Sequence, residues 1–231
     1  MHDSYSRITI KIFRLMIQNL RCVIFDMDGV IIDSEELHRK AYYEVFESLD
    51  INVTEELYKS MTGSSTLNAF QKLVSHFNLN EIPEELVINK RKRYVNFFEN
   101  DPNLSLINGV EDAIQHFFEK GHTLVLASSS AMVNINRVFD RFDLHKYFTA
   151  KISGADLKAS KPHPEIFEKA AILGGHDRTH CIVIEDSDNG IKAANDAGIF
   201  AVGYKNPLVT NQTLENANMV ISSYNELIEI C

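Results

Sequence analysis

The stretch LRCVIFDMDGVIIDS, residues 20–34, changes character after Phe25. Leu20–Phe25 is mostly apolar and carries β-branched Val23 and Ile24; Asp26-Met27-Asp28-Gly29 then closes it. A short apolar run bounded by turn residues reads as a strand buried on both faces, as in a parallel sheet. Two carboxylates two positions apart at a strand end project to the same side while the backbone stays extended. Gly29 then lets the chain turn away. Taken alone, the segment is either a polar strand end with a glycine turn or the start of a reactive site.

The same apolar pattern returns at Thr123–Ala127, Cys181–Ile184, Ile199–Tyr204 and Met219–Ile221, and more weakly at Ala150–Ser153. Helical periodicity fills Gly109–Lys120, Ala131–Phe139, Pro164–Leu173 and Asn189–Ala197. Strand and helix in alternation predict an α/β fold: a Rossmann-like, doubly wound parallel sheet. From about Ser34 to Asn103 the alternation stops, and only helical segments are found: Glu35–Leu49, Glu55–Met61, Thr66–Phe77 and Pro83–Phe98. Ligands of open α/β sheets bind at the carboxyl ends of the strands. A helical insertion directly after the first strand is therefore expected over that edge, as an α-helical cap domain. The expected division is an N-terminal extension at 1–19, an α/β core at 20–33 and 104–231, and the cap at 34–103, with hinges near Asp33–Ser34 and Asn103–Asn108.

Composition narrows the function. The 231 residues are 45% hydrophobic and 24% charged, with a formal net charge of −9. That charge repels nucleic-acid phosphates, so no nucleic-acid partner is expected. A small phosphorylated substrate remains compatible, because a metal and a few local cations reverse the sign inside a pocket. Cys22, Cys181 and Cys231 form no CxxC pair, which predicts neither a disulfide framework nor a zinc site and points to a cytoplasmic location. No apolar run approaches the roughly 20 residues of a membrane span. In the first twenty residues Lys11 and Arg14 interrupt the apolar stretch, which makes a poor secretory signal and leaves a leader or a start at Met16 as readings. No long apolar stripe demands a second subunit, so a monomer is expected.

Three more strand ends belong with Asp26 and Asp28. The second strand runs into Ser128-Ser129-Ser130. Serines there either cap a helix or, with their backbone N–H groups, grip a phosphate oxygen. Lys161 lies in Ser160-Lys161-Pro162-His163-Pro164, where two prolines stiffen the loop before a helix. The strand Cys181–Ile184 ends in Glu185-Asp186-Ser187. Acids gathered there repel one another unless a cation neutralises them. Magnesium suits such an oxygen-only cluster, taking carboxylates, waters and substrate phosphate.

DxDGVxxDS at 26–34, the strand-end serine, SKPHPEIF at 160–167 and IEDSxxGIxAAxxAG at 184–198, in that order, resemble the haloacid dehalogenase superfamily. Within it the chain is most similar to the β-phosphoglucomutase-like phosphatases, whose helical cap follows the DxD segment. The resemblance implies an Mg2+ cofactor and the following assignments. Asp26 attacks phosphorus and becomes an aspartyl phosphate, its other oxygen on the metal. Asp28 serves as general acid and then base, its backbone carbonyl on the metal. Ser128, the amide of Ser129 and Lys161 hold the transferring oxygens. Asp186 ligates the metal, and Glu185 does so directly or through water. Dehalogenases of the superfamily release halide unprotonated and need no second acid, so Asp28 favours phosphate esters.

The cap decides between phosphatase and mutase. Ser34 and His38 match positions at the cap hinge of β-phosphoglucomutases; His38 is also readable as an ordinary polar residue of the first cap helix. Met61–Thr66 aligns with a mutase segment that supplies a lysine before the glycine and an arginine three residues after it, where this chain has Thr62 and Thr66. Losing both cations removes grips for a second phosphate. Lys90, which opens the run Lys90-Arg91-Lys92-Arg93, falls near a cap lysine of the mutases, or the run is a solvated helix face. The expected function is a phosphatase of small sugar or polyol monophosphates, with a phosphohexomutase as the alternative. A receiver-like signalling module also uses a phosphorylatable aspartate, but it needs no large helical insertion and no acid at the nucleophile's second neighbour. Neither GxxxxGK[ST] nor a GxGxxG after a strand is present, so nucleotide-binding readings fail.

Overall fold

The computed structural model describes residues 17–61, 65–206 and 212–231. Met16, most of the N-terminal extension and Thr62 lie outside the described residues. The chain forms two compact units, Ser34–Leu104 and the segments that flank it in sequence.

The flanking segments build a six-stranded sheet: β1 (Cys22–Phe25), β2 (Thr123–Ser128), β3 (Ala150–Ser153), β4 (Cys181–Glu185), β5 (Phe200–Tyr204) and β6 (Met219–Ile221). The order is β3-β2-β1-β4-β5-β6, and every neighbouring pair is parallel. The central strands are apolar between their ends because both faces are covered. Cys22, Ile24, Val125, Ala127, Cys181 and Val183 face one core layer. Alternation sends Val23, Phe25, Leu124, Leu126, Ile182 and Ile184 to the other, and all six are fully buried. The chain order reverses beside β1, so its carboxyl end opens at a topological switch point. That position puts Asp26 at the centre of the sheet edge.

The second unit consists of α1 (Glu35–Ser48), α2 (Glu55–Lys59), α3 (Thr66–Phe77) and α4 (Pro83–Asn100). Thr54 and Ser65 cap α2 and α3 by accepting from Leu57 N and Asn68 N. Pro83 opens α4, where its missing N–H costs nothing. The unit has its own core of Val45, Phe46, Val53, Tyr58, Phe70, Leu73 and Leu86.

The sheet is flanked by α5 (Val110–Glu119), α6 (Met132–Arg141), α7 (Glu165–Leu173), α8 (Asp188–Asp196) and α9 (Tyr224–Ile230). Phe167, Ala170 and Ala171 of α7 and Ile191, Ala193 and Ala194 of α8 fill the first core layer. Helix α5 packs on β2 and on α9. Periodicity does not reveal α9, which spans only two turns. Its signal is the capping box Ser223-x-x-Glu226, both halves of which form.

Candidate active site

Asp26 follows β1 directly, and its N–H donates to Ile184 O of β4 at 3.0 Å. The chain then folds back on itself. Met27 O accepts from Val30, Ile31 and Ile32, and Gly29 N donates to Ile32 O at 2.8 Å. Gly29 sits at φ +81°, and a Cβ there would overlap the Asp186 carboxylate, so two independent constraints require glycine. Buried Tyr224 braces this turn from α9, its hydroxyl donating to Val30 O at 2.7 Å.

The β2 end supplies serines with different environments. Ser128 is buried, and its Oγ accepts from Ser130 N at 3.0 Å, while Ser129 is exposed. Ser130 Oγ donates to Asp28 Oδ2 at 2.8 Å, and Ser130 O accepts from Ser153 Oγ at 2.9 Å. Residue type alone did not single out Ser130 from its two neighbours; the contact with Asp28 does.

Lys161 joins the strand ends. Its Nζ lies 2.6 Å from Asp26 Oδ1, 2.7 Å from Glu185 Oε1 and 3.3 Å from Ala127 O. Its side chain is 7% exposed, and the chain sequence separates it from Asp26 by 135 positions. Glu185 is fully buried at the end of β4, with Oε2 accepting from the N–H and hydroxyl of Ser187 at 2.8 and 2.9 Å. Gly190 backs that carboxylate so closely that a Cβ would overlap it. Asp186 is held by Gln212, whose Nε2 donates to its backbone oxygen at 2.8 Å. Carboxylate oxygens of Asp26, Glu185 and Asp186 all lie within 4.8 Å of one another.

This crowding shapes the charges. Burial raises the Asp26 carboxyl to about 7; Lys161 pulls it down, and Glu185 and Asp28 push it up. Asp186 is also raised, first by burial and then by Glu185 and Asp26. Burial opposes the Lys161 ammonium, but Asp26 and Glu185 outweigh it and hold the group above the ordinary lysine value. One ammonium does not balance the converging acids. A hard, oxygen-only donor set with surplus negative charge fits a divalent cation such as Mg2+.

Three residues of the second unit were singled out by sequence. Ser34 is the buried residue before α1, and its carbonyl accepts from His38 N at 2.9 Å. His38 Nδ1 lies 2.6 Å from Lys90 Nζ, and its ring stacks on Tyr94 at 4.3 Å. Lys90 is buried, over the rings of Tyr42 and Tyr94 at 4.8 and 5.3 Å. Of the basic run, then, Arg91 and Lys92 are a solvated face and Lys90 is not.

Residues 23–204 match the sequence profile of the family described as haloacid dehalogenase-like hydrolase. Hexitol phosphatase B of Escherichia coli O157:H7 is 30% identical over 217 residues, 91% of this chain and 95% of that protein. Beta-phosphoglucomutase of Bacillus subtilis strain 168 is 27% identical, over 90% of this chain and 92% of that one. The crystal structure of CbbY from Rhodobacter sphaeroides in complex with phosphate shares the fold, with a TM-score of 0.80 at 22% identity over 90% of this chain and 96% of that one. The profile match begins inside β1 and ends with β5, so it spans every strand end described above. The chain belongs to the haloacid dehalogenase-like hydrolases.

Proposed function

We propose that the chain is a magnesium-dependent phosphatase of small sugar or polyol monophosphates, working through an aspartyl phosphate on Asp26. The observation that carries the reading is the convergence of the Asp26, Glu185 and Asp186 carboxylates within 4.8 Å of one another, with the Lys161 ammonium paired to the first two. Asp26, Asp186, the backbone carbonyl of Asp28 and Glu185, the last directly or through water, would hold Mg2+. When bound, the ion supplies positive charge to oxygens that gain negative charge during transfer.

The chain's own groups then divide the work. A carboxylate oxygen of Asp26 attacks phosphorus, and the phosphorus–ester oxygen bond breaks. The departing alkoxide takes a proton from Asp28, which Ser130 orients through Oδ2. A water then attacks phosphorus and gives a proton to Asp28; the bond between phosphorus and the Asp26 oxygen breaks, which releases inorganic phosphate and restores the carboxylate. Lys161, Ser128 and the amide of Ser129 bind the equatorial oxygens, and Lys161 offsets the charge on Asp26. Ser34, His38 and Lys90 are proposed as substrate-contacting residues.

A relative named hexitol phosphatase supports the polyol assignment. The relative named beta-phosphoglucomutase keeps the mutase as the second reading, which the absence of cations at 62 and 66 disfavours. The test is hydrolysis of p-nitrophenyl phosphate and of a hexitol phosphate with Mg2+ and with EDTA. Turnover is expected only with Mg2+ and is lost in Asp26→Asn. Conversion of β-glucose 1-phosphate to glucose 6-phosphate faster than release of phosphate would overturn the hydrolase assignment.

A further inference from the structure

We propose that Gln212 is a positioning residue that fixes Asp186 for the cation, an inference that rests on the metal-dependent reading above. Gln212 Nε2 lies 2.8 Å from Asp186 O, 3.3 Å from Asp186 Oδ2 and 3.4 Å from Tyr204 O. Three acceptors around one nitrogen set the amide's orientation, since reversing it would aim oxygen at oxygen. Two of those acceptors belong to Asp186, one on its backbone and one on its carboxylate. The amide therefore spans the residue and holds the carboxylate relative to its own main chain, while the third contact anchors it to the end of β5.

The loop that carries Gln212 is itself tied down. Asp188, the first residue of α8, accepts from Leu214 N at 2.8 Å and from Thr213 Oγ1 at 2.9 and 3.0 Å. Leu214 is buried in the core layer under that helix. Asp186 thus lies between Gly29, which leaves no room for a side chain, and an amide on an anchored loop. A neutral donor is what this place requires. A lysine would compete with the cation, and a carboxylate would add repulsion to a cluster already rich in acids. Gln212 Oε1 is buried without a partner among the described residues, an acceptor of the kind an ordered water satisfies.

The experiment titrates Mg2+ into the EDTA-stripped full-length protein by calorimetry, for wild type, Gln212→Ala, Gln212→Met and Thr213→Val. Gln212→Met keeps the length of the side chain and carries the test if Gln212→Ala does not fold, with circular dichroism in EDTA checking each variant. Loss of an outer partner of a metal ligand typically weakens metal binding 10–100-fold. Both Gln212 variants are expected to bind Mg2+ about 10-fold or more weakly, with the Mg2+ concentration for half-maximal turnover rising by the same factor. Thr213→Val removes the hydroxyl bonds to Asp188 but keeps the Leu214 N–H bond that anchors the loop, and is expected to stay within about twofold of wild type. Gln212 variants that bind as tightly as wild type, or a Thr213→Val variant weakened as much as they are, would overturn the inference alone. A wild-type protein that takes up no Mg2+ and hydrolyses no phosphate ester would sink the metal-dependent reading, and this one with it.

Discussion

Asp26 carries a conflict between its position and its charge. Its carboxyl is pushed to about 7 by burial, against 3.8 for an ordinary aspartate, so the metal-free native chain keeps a proton that the unfolded chain has lost. A carboxyl raised in the folded state contributes stability that is fully present below pH 3.8 and fades as pH climbs toward 7. In EDTA the folding stability is therefore expected to fall between pH 5 and 7.5 by on the order of 2 kcal/mol. Asp26→Asn removes its share of that titration, leaving that of Asp186, whose carboxyl burial also raises, and is expected to make the slope shallower, as urea unfolding across the range would show. A slope unchanged in Asp26→Asn would assign the dependence to another group. At this scale the sequence was informative where residue type carries chemistry. Carboxylates at strand ends and a lysine followed by two prolines stand out in one dimension. Gln212 and Tyr224 do not, because an amide or a phenol acquires its purpose only from what the fold sets beside it.

Helix α8 illustrates how an element can be tuned against its own propensity. Gly190 lies in its first turn, where alanine would ordinarily gain about 0.5–1 kcal/mol by restricting the unfolded chain and improving helix propensity. A Cβ at that position overlaps the Glu185 carboxylate, which is held by Ser187 and Lys161 and has nowhere to relax. Steric cost is expected to win over propensity. Gly190→Ala should lower the melting temperature of the EDTA-treated protein and weaken Mg2+ binding, both measurable without turnover. A higher melting temperature with unchanged Mg2+ affinity would show that Glu185 moves freely. The element scale also marks where sequence reading ends. Strands β1, β2 and β4 announced themselves as apolar runs because both their faces are buried. The two-turn α9 gave no periodicity, and only its capping box betrays it. Its bond to Val30 then brings the C-terminal segment to the turn after Asp26, across 194 positions of sequence.

At the scale of the whole molecule, an acidic chain must recognise an anion. With a formal charge of −9, long-range attraction does not assist a phosphate ester, so discrimination falls to local cations and hydrogen-bond donors. The groups proposed for chemistry lie on the sheet unit, and Ser34, His38 and Lys90, proposed for substrate contact, lie on the helical one. This separation predicts separable kinetics. Lys90 is buried against His38, Tyr42 and Tyr94, and methionine preserves much of its volume, so Lys90→Met should fold. A hydrogen bond to a charged group contributes about 1.5–3 kcal/mol, and 1.4 kcal/mol corresponds to tenfold in affinity. Lys90→Met is therefore expected to raise KM for a hexitol phosphate about 10-fold or more, while turnover of p-nitrophenyl phosphate, which offers no polyol to contact, stays within about threefold of wild type. Equal losses on both substrates would place Lys90 with the reacting groups or make it purely structural, and a melting temperature matched to wild type would exclude the latter.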